Sequence, residues 1–265
     1  MANGTPTLLS TTLSDDPNLQ PTPRSRTTHL LSQRTSSDSF KHEPLDHSQP
    51  SIRLIKISPR LSDEGLIRCS MSHTTMDRGP YRCLSYTWGQ PEPKQLISIN
   101  GKSSYVQPNL HEFSKVVKAD ITRTRHLYWI DALCIDQENT AERNHQVTQM
   151  GQIYSEAEVV IAWLGPASEE TLLHYHGNMP STYDRFSTTR TIYEDLAGNE
   201  YWTRAWITQE LVLAHCISIA IGPLTFTFKK LLEMVHSIGF EFAITEEFGQ
   251  ILAFTASKGN IVGEP

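Results

Sequence analysis

The side chains best suited to act on a ligand fall in three short stretches of the 265 residues. The first is YRCLSYTWG (81–89), where Tyr86, Trp88 and Gly89 close an aromatic, β-branched run. An aromatic ring there can stack on a base or a nicotinamide ring, and a glycine lets the backbone approach a phosphate. The other reading of Trp88 is a wall of the core. Ser85 has no GxSxG elbow around it, which argues against an esterase nucleophile. It stays among the ligand-facing residues. The second stretch, WIDALCIDQ (129–137), sets Asp131 inside an apolar run. A buried carboxylate is costly unless partnered. Asp131 therefore reads either as half of a structural pair with Arg143 or Arg204, or as a ligand contact. Asp136 and Gln137 follow at the end of the run, where a ligand would be met.

Glu142 is the sharpest carboxylate. It lies three residues after Asn139, the spacing of a capping box worth about 1 kcal/mol. The same position is the first turn of a helix facing the cleft. A carboxylate there can hold ribose hydroxyls or stabilise an oxocarbenium-like centre. The third stretch, YWTRAWITQE (201–210), supplies Arg204, Trp206 and Glu210. On a continuous helix Arg204 and Glu210 lie on different faces and are not an obvious i,i+4 pair. Arg204 is then available to a buried carboxylate or a phosphate, and Trp206 joins the substrate-binding set.

Other chemistry is argued against. No GxGxxG or Walker loop is present. Cys69 and His73 are four apart without further ligands nearby, so no metal site is expected. Cys134 reads as a core residue. The four cysteines form no CxxC pair, as in an intracellular protein with free thiols.

The elements that must position these residues follow from periodicity. SIRLIKI (51–57) alternates as a half-buried strand, with LIRCSM (66–71) as its hairpin partner. YRCLSYTW and QLISING are strands, the latter stopped by the turn pair Asn100-Gly101. Asn109 reads as the cap of a helix carrying Leu110, Phe113, Val116 and Val117. HLYWIDALCID (126–136) reads as a central strand, Asn139 opens a helix, and EVVIAWLG (158–165) is another buried strand. Residues 167–198 read as irregular, 199–214 as one helix, HCISIAIG as a strand and FKKLLEMVHSIGFEF as helix. The alternation implies an α/β fold with a mainly parallel sheet. Ligands in such sheets sit beyond the carboxyl ends of the strands.

Composition narrows the class. Up to Ser39 there is no aromatic residue, and Ser, Thr, Pro and Asp dominate. Residues 1–50 read as a disordered tail, since they cannot bury enough apolar surface to offset their ordering entropy. Residues 51–265 form the domain. The formal net charge of −6 argues against a general nucleic-acid binder. No secretory signal is seen, and no run approaches the roughly 18 apolar residues of a membrane span, so the expected location is cytoplasmic.

In order, the stretches YRCLSYTWG, ISING, NLHEF, LYWIDALCIDQENTAERNHQVTQMGQIYSEAEVVIAWLG and YWTRAWITQELVLA resemble the HET (heterokaryon incompatibility) domain family of filamentous fungi. They span 81–214. The family more often has Asn where Asp136 stands. The resemblance implies non-self recognition and triggered cell death. It also implies similarity to TIR domains, with a flavodoxin-like parallel sheet covered by helices on both faces. Many TIR domains cleave NAD at the nicotinamide–ribose bond with a glutamate on the helix after the third sheet strand. By that likeness the helix opened by Asn139 takes this place and Glu142 is the catalytic residue. Ser85, Tyr86, Trp88, Gly89, Asp131, Asp136, Gln137, Arg143, Arg204 and Trp206 then contact the nucleotide. NAD enters as substrate, with no bound cofactor or metal. Self-association and an upstream recognition protein are the implied partners. The alternative is a self-associating death-signalling module without enzymatic activity.

Overall fold

The computed structural model describes residues 38–180, 184–238 and 249. The chain divides into Met1–Asp38 and Ser39–Pro265. The first unit lies almost wholly outside the described residues, as does the expected disorder of 1–37. All that follows concerns the second.

Among the described residues nine strands form one mixed sheet: β1 (Ser51–Leu61), β2 (Ile67–Thr75), β3 (Arg82–Tyr86), β4 (Gln95–Ile99), β5 (Lys102–Val106), β6 (Tyr128–Trp129), β7 (Val159–Trp163), β8 (Ile217–Ile221) and β9 (Leu224–Phe226). Their order is β5-β4-β2-β1-β6-β3-β7-β8-β9. Only β4–β2 and the central run β6-β3-β7-β8 pair in parallel; β1–β2, β1–β6, β4–β5 and β8–β9 are antiparallel. The expected mainly parallel sheet is thus corrected to a mixed one. Short hairpins reverse the chain at both ends, and a tight turn can only join antiparallel strands. Asn100 and Gly101, both at positive φ, make the β4–β5 turn, and the strand after it was not expected from the sequence.

Among the described residues seven α-helices accompany the sheet: α1 (Pro108–Ala119), α2 (Asp131–Cys134), α3 (Thr140–Glu156), α4 (Glu169–Tyr175), α5 (Arg185–Asp195), α6 (Ile207–Leu213) and α7 (Phe228–Ser237). Leu110, Phe113 and Val117 of α1 pack with Leu84, Tyr128 and Ile161 in one core. Ile153 and Tyr154 of α3, Leu211 of α6 and Leu231 of α7 pack with Cys83, Trp129 and Val160 in the other. Helices therefore cover both faces. Within the parallel run the connection goes from β3 to β6 on one side, then returns to β7 on the other. The direction reverses between β3 and β7, the switch point where ligands gather in open α/β sheets.

Several local expectations are corrected. The apolar run 126–136 is strand only over Tyr128–Trp129 and then turns into α2. Gln107 caps α1, with Pro108 in its first turn, and Asn109 lies inside the helix. Residues 167–198 hold two helices, α4 and α5. The 199–214 segment is a 3₁₀ turn, Glu200–Thr203, followed by α6, with Arg204 between them. Residues 39–50, counted with the tail on composition, run along the folded unit. Phe40 N–H donates to Ser103 O at 2.8 Å, His42 Nε2 lies 2.7 Å from Leu133 O, and Leu45 is buried.

Candidate functional site

The polar residues separate into two buried clusters. The first forms at the carboxyl end of β3, beside the switch point. Asn109 ties the two loops there: its Nδ2 donates to Thr87 O (2.6 Å) and its Oδ1 accepts from Trp163 Nε1 (2.8 Å). Gly89 has φ +73°, and a Cβ on it would meet Asn109 Cβ at 3.4 Å. Glycine is needed there for the left-handed turn.

Below this edge lies a network around Ser85, which is fully buried. Its hydroxyl donates to Glu210 Oε2 and accepts from Arg204 Nη1 at 3.1 Å. Its one proton is thereby used, so Tyr201 OH, 2.6 Å away, is the donor to it. Arg204 grips Glu210 with both ends of its fork, each at 3.1 Å. Not an obvious pair on a continuous helix, the two do pair in the fold. Arg204 stands outside the helix, so helical spacing does not apply. Burial opposes the charge on Arg204, but Glu210 outweighs it and holds the guanidinium firmly protonated.

Asp131 occupies the mouth of this cluster, at the first position of α2. Its Oδ1 accepts from Ala132 N–H (2.7 Å) and its Oδ2 from Trp88 Nε1 (3.1 Å). Burial, and after it the negative charge of Asp131, hold the Tyr86 hydroxyl well above its usual range. Neither Arg143 nor Arg204 forms the expected pair with Asp131. Burial raises its pKa to about 6, against the lowering by the Trp88 and Ala132 bonds. Trp88 is 43% exposed, an indole at the surface with its N–H anchored to the carboxylate.

The second cluster surrounds Glu142. Its carboxylate and Arg53 are each 1% exposed and pair at both ends, Nη1–Oε1 at 2.6 Å and Nη2–Oε2 at 2.8 Å. Arg53 also donates to Cys134 O (2.9 Å), to Glu43 O and, through Nε, to His73 Nε2 (3.1 Å). All five of its N–H groups are used. Glu142 Oε1 accepts further from Asp136 N–H at 2.7 Å. Burial acts against the charge on Glu142, but Arg53 and the Asp136 N–H outweigh it and hold the carboxyl below its usual range. Asn139 caps α3, accepting from Ala141 N–H (3.1 Å) and Glu142 N–H (3.2 Å). The return half of the capping box is replaced, because Glu142 bonds Asp136 N–H. The pair knits β1, α2, α3 and residue 43 together and presents no open face to a ligand.

The fold thus gathers Ser85, Tyr86, Trp88, Asp131 and Arg204, with Gly89 beside them. Gln137 Nε2 donates to Asp131 O (3.0 Å), and Asp136 Oδ1 caps the turn at Glu138 N–H (3.1 Å). Arg143 reaches only Gln137 O at 3.5 Å, and Trp206 is 59% exposed at the start of α6. The residues that sequence reasoning missed are Arg53, Asn109, Tyr201 and the role of Glu210. A signal existed for Arg53: in an alternating strand it shares a face with Ile55 and Ile57. Among the described residues no group of three or more His, Cys, Asp or Glu is placed to hold a metal ion. A separate cavity of about 610 Å³ opens at the opposite ends of the strands, lined by Arg82, Val159 and Ser218, away from both clusters.

Residues 81–210 match the family model described as heterokaryon incompatibility protein (HET). Heterokaryon incompatibility protein 6, OR allele, of Neurospora crassa is 27% identical over 154 residues, covering 52% of this chain and 22% of that protein. The chain thus matches less than a quarter of that relative's length. No solved structure matches.

Proposed function

We propose, from the premise that residues 81–210 place this chain in the heterokaryon incompatibility family, that it is a cell-death effector of non-self recognition. Its site cleaves NAD or a related nucleotide at the N-glycosidic bond. The central strands β6-β3-β7-β8 follow the 2-1-3-4 order of a flavodoxin-like sheet, which supports a TIR-like core within the larger mixed sheet.

The observation that carries the reading is the Asp131–Trp88 unit at the switch point. It joins a partly accessible ring to a carboxylate that titrates at about 6. The indole stacks on the base. As the bond from ribose C1′ to the nicotinamide nitrogen breaks, its electron pair leaves on that nitrogen and positive charge develops at C1′. Ionised Asp131 stabilises that charge and orients the attacking water, whose proton passes to the carboxylate and on to solvent. Arg204, already committed to Glu210 and Ser85, holds the floor of the site. The role moves from Glu142 to Asp131 because the Glu142 oxygens are enclosed by Arg53 and Asp136 N–H.

The test is nicotinamide release from NAD by the purified chain at high concentration. Asp131→Asn is expected to lower the rate at least a hundredfold while Glu142→Gln, if folded, keeps it. No release above the Asp131→Asn control removes the enzymatic reading. The second reading, a self-associating module, is favoured by the exposed Trp206 and Val147. Under it, Asp131→Asn still kills cells and NAD is not consumed.

A further inference from the structure

A cavity of about 350 Å³ opens where residues 40–43 cross β1, β2 and the β4–β5 turn. Lys41, Arg53, His73, Ser72 and Lys102 line it, and Glu43 is the one carboxylate among its walls. With Arg53 neutralised by Glu142, two lysines stand against one carboxylate, a local positive excess in a chain whose formal net charge is −6. The two lysines are exposed, and neither ammonium has a partner among the described residues. Arg53 is different. Glu142 neutralises it and its N–H groups are all taken, so it forms a fixed back wall.

Arg53 also sets the chemistry of its neighbour. A guanidinium Nε–H can only donate, so His73 Nε2 accepts. The neutral His73 ring must then carry its proton on Nδ1, which makes it a hydrogen-bond donor. Two ammonium groups and a ring N–H therefore border one small polar cavity. Such a set of point charges and donors suits an anion with several oxygens. The volume leaves room for an organic substituent.

We infer that this cavity binds a phosphate dianion, free or as a small monoester, and that the bound anion fastens residues 40–43 to the β1–β2 hairpin. The site lies apart from Asp131 and does not depend on the nucleotide reading.

The experiment titrates the full chain with inorganic phosphate and, separately, with ribose 5-phosphate. Ionic strength is held constant with sodium chloride. The thermal midpoint is followed, with ³¹P line width as a readout independent of stability. A saturable rise in midpoint and broadening are expected for wild type and for Asp131→Asn. Affinity should fall at least tenfold in Lys41→Gln/Lys102→Gln, whose midpoint without phosphate stays at the wild-type value because both side chains are exposed. Stronger binding of ribose 5-phosphate assigns the monoester, and equal binding assigns phosphate alone. No broadening, or equal affinity in the double lysine variant, overturns the inference.

Discussion

Glu142 and Asp131 are carboxylates eleven residues apart with opposite environments. Glu142 accepts three hydrogen bonds and faces a buried guanidinium; Asp131 is half-buried and accepts from Ala132 N–H and Trp88 Nε1 instead of a cation. The first is held ionised for structure, and desolvation pushes the pKa of the second up to about 6. Removing one partner of a buried pair strands the other charge. Arg53→Met is therefore expected to cost about 3–5 kcal/mol in urea unfolding at pH 7. Because the folded pKa of Glu142 is depressed, its contribution is present above the unfolded value and is lost as pH falls through the folded one. The deficit of Arg53→Met against wild type should accordingly shrink on acidification below about pH 4. A deficit unchanged between pH 7 and pH 3 would mean that the pair does not carry it.

At the level of elements, the site depends on loops being brought to one edge. Asn109 performs this from within α1, joining the loop after β3 to the last residue of β7. Asn109→Ala removes both bonds and leaves the buried Trp163 N–H without its acceptor, a loss of about 1–3 kcal/mol. Hydrogen exchange should show faster opening of residues 86–90 in that variant, with α7 unaffected. Unchanged exchange there would mean that the β3 loop is held by other contacts. Much of this level was legible. The strand at 51–57, the buried run 159–163 and the Asn139 cap stand as read, but 51–57 is buried at every position except Lys56 rather than half-buried, because the sheet is covered on both faces. What failed was length and continuity. An apolar stretch of a few residues fits a buried strand or a buried helical turn equally well, so Asp131 was read within a strand when it opens α2.

For the whole molecule, the raised pKa of Asp131 carries a cost of its own. The folded state binds a proton more tightly there than the unfolded chain, so stability falls as pH rises from about 4 to about 6. Asp131→Asn lacks this loss. The variant should gain on wild type by on the order of 2–3 kcal/mol between pH 4 and pH 7, judged from the shift. Chemical denaturation at the two pH values measures it, and a constant difference would show that Asp131 titrates normally. Under the proposed function, that gain on removing Asp131 is the trade between stability and activity expected of a catalytic carboxylate.

The sequence by itself determined the family segment, the alternation of strands and helices, the reversal at Asn100-Gly101 and the short list from which the site is drawn. These rest on local spacing and turn chemistry, which a linear chain displays directly. Only the tertiary structure decided which residues meet. Arg53 reaches Glu142 across 89 positions and Ser85 reaches Glu210 across 125. It also decided that half the sheet's pairings are antiparallel, because register and pairing are set by contacts between segments distant in the chain. The contrast between the surroundings of Glu142 and Asp131 belongs to the same class. Both are acidic residues near apolar runs, and whether a cation or an indole lies opposite is fixed by packing alone.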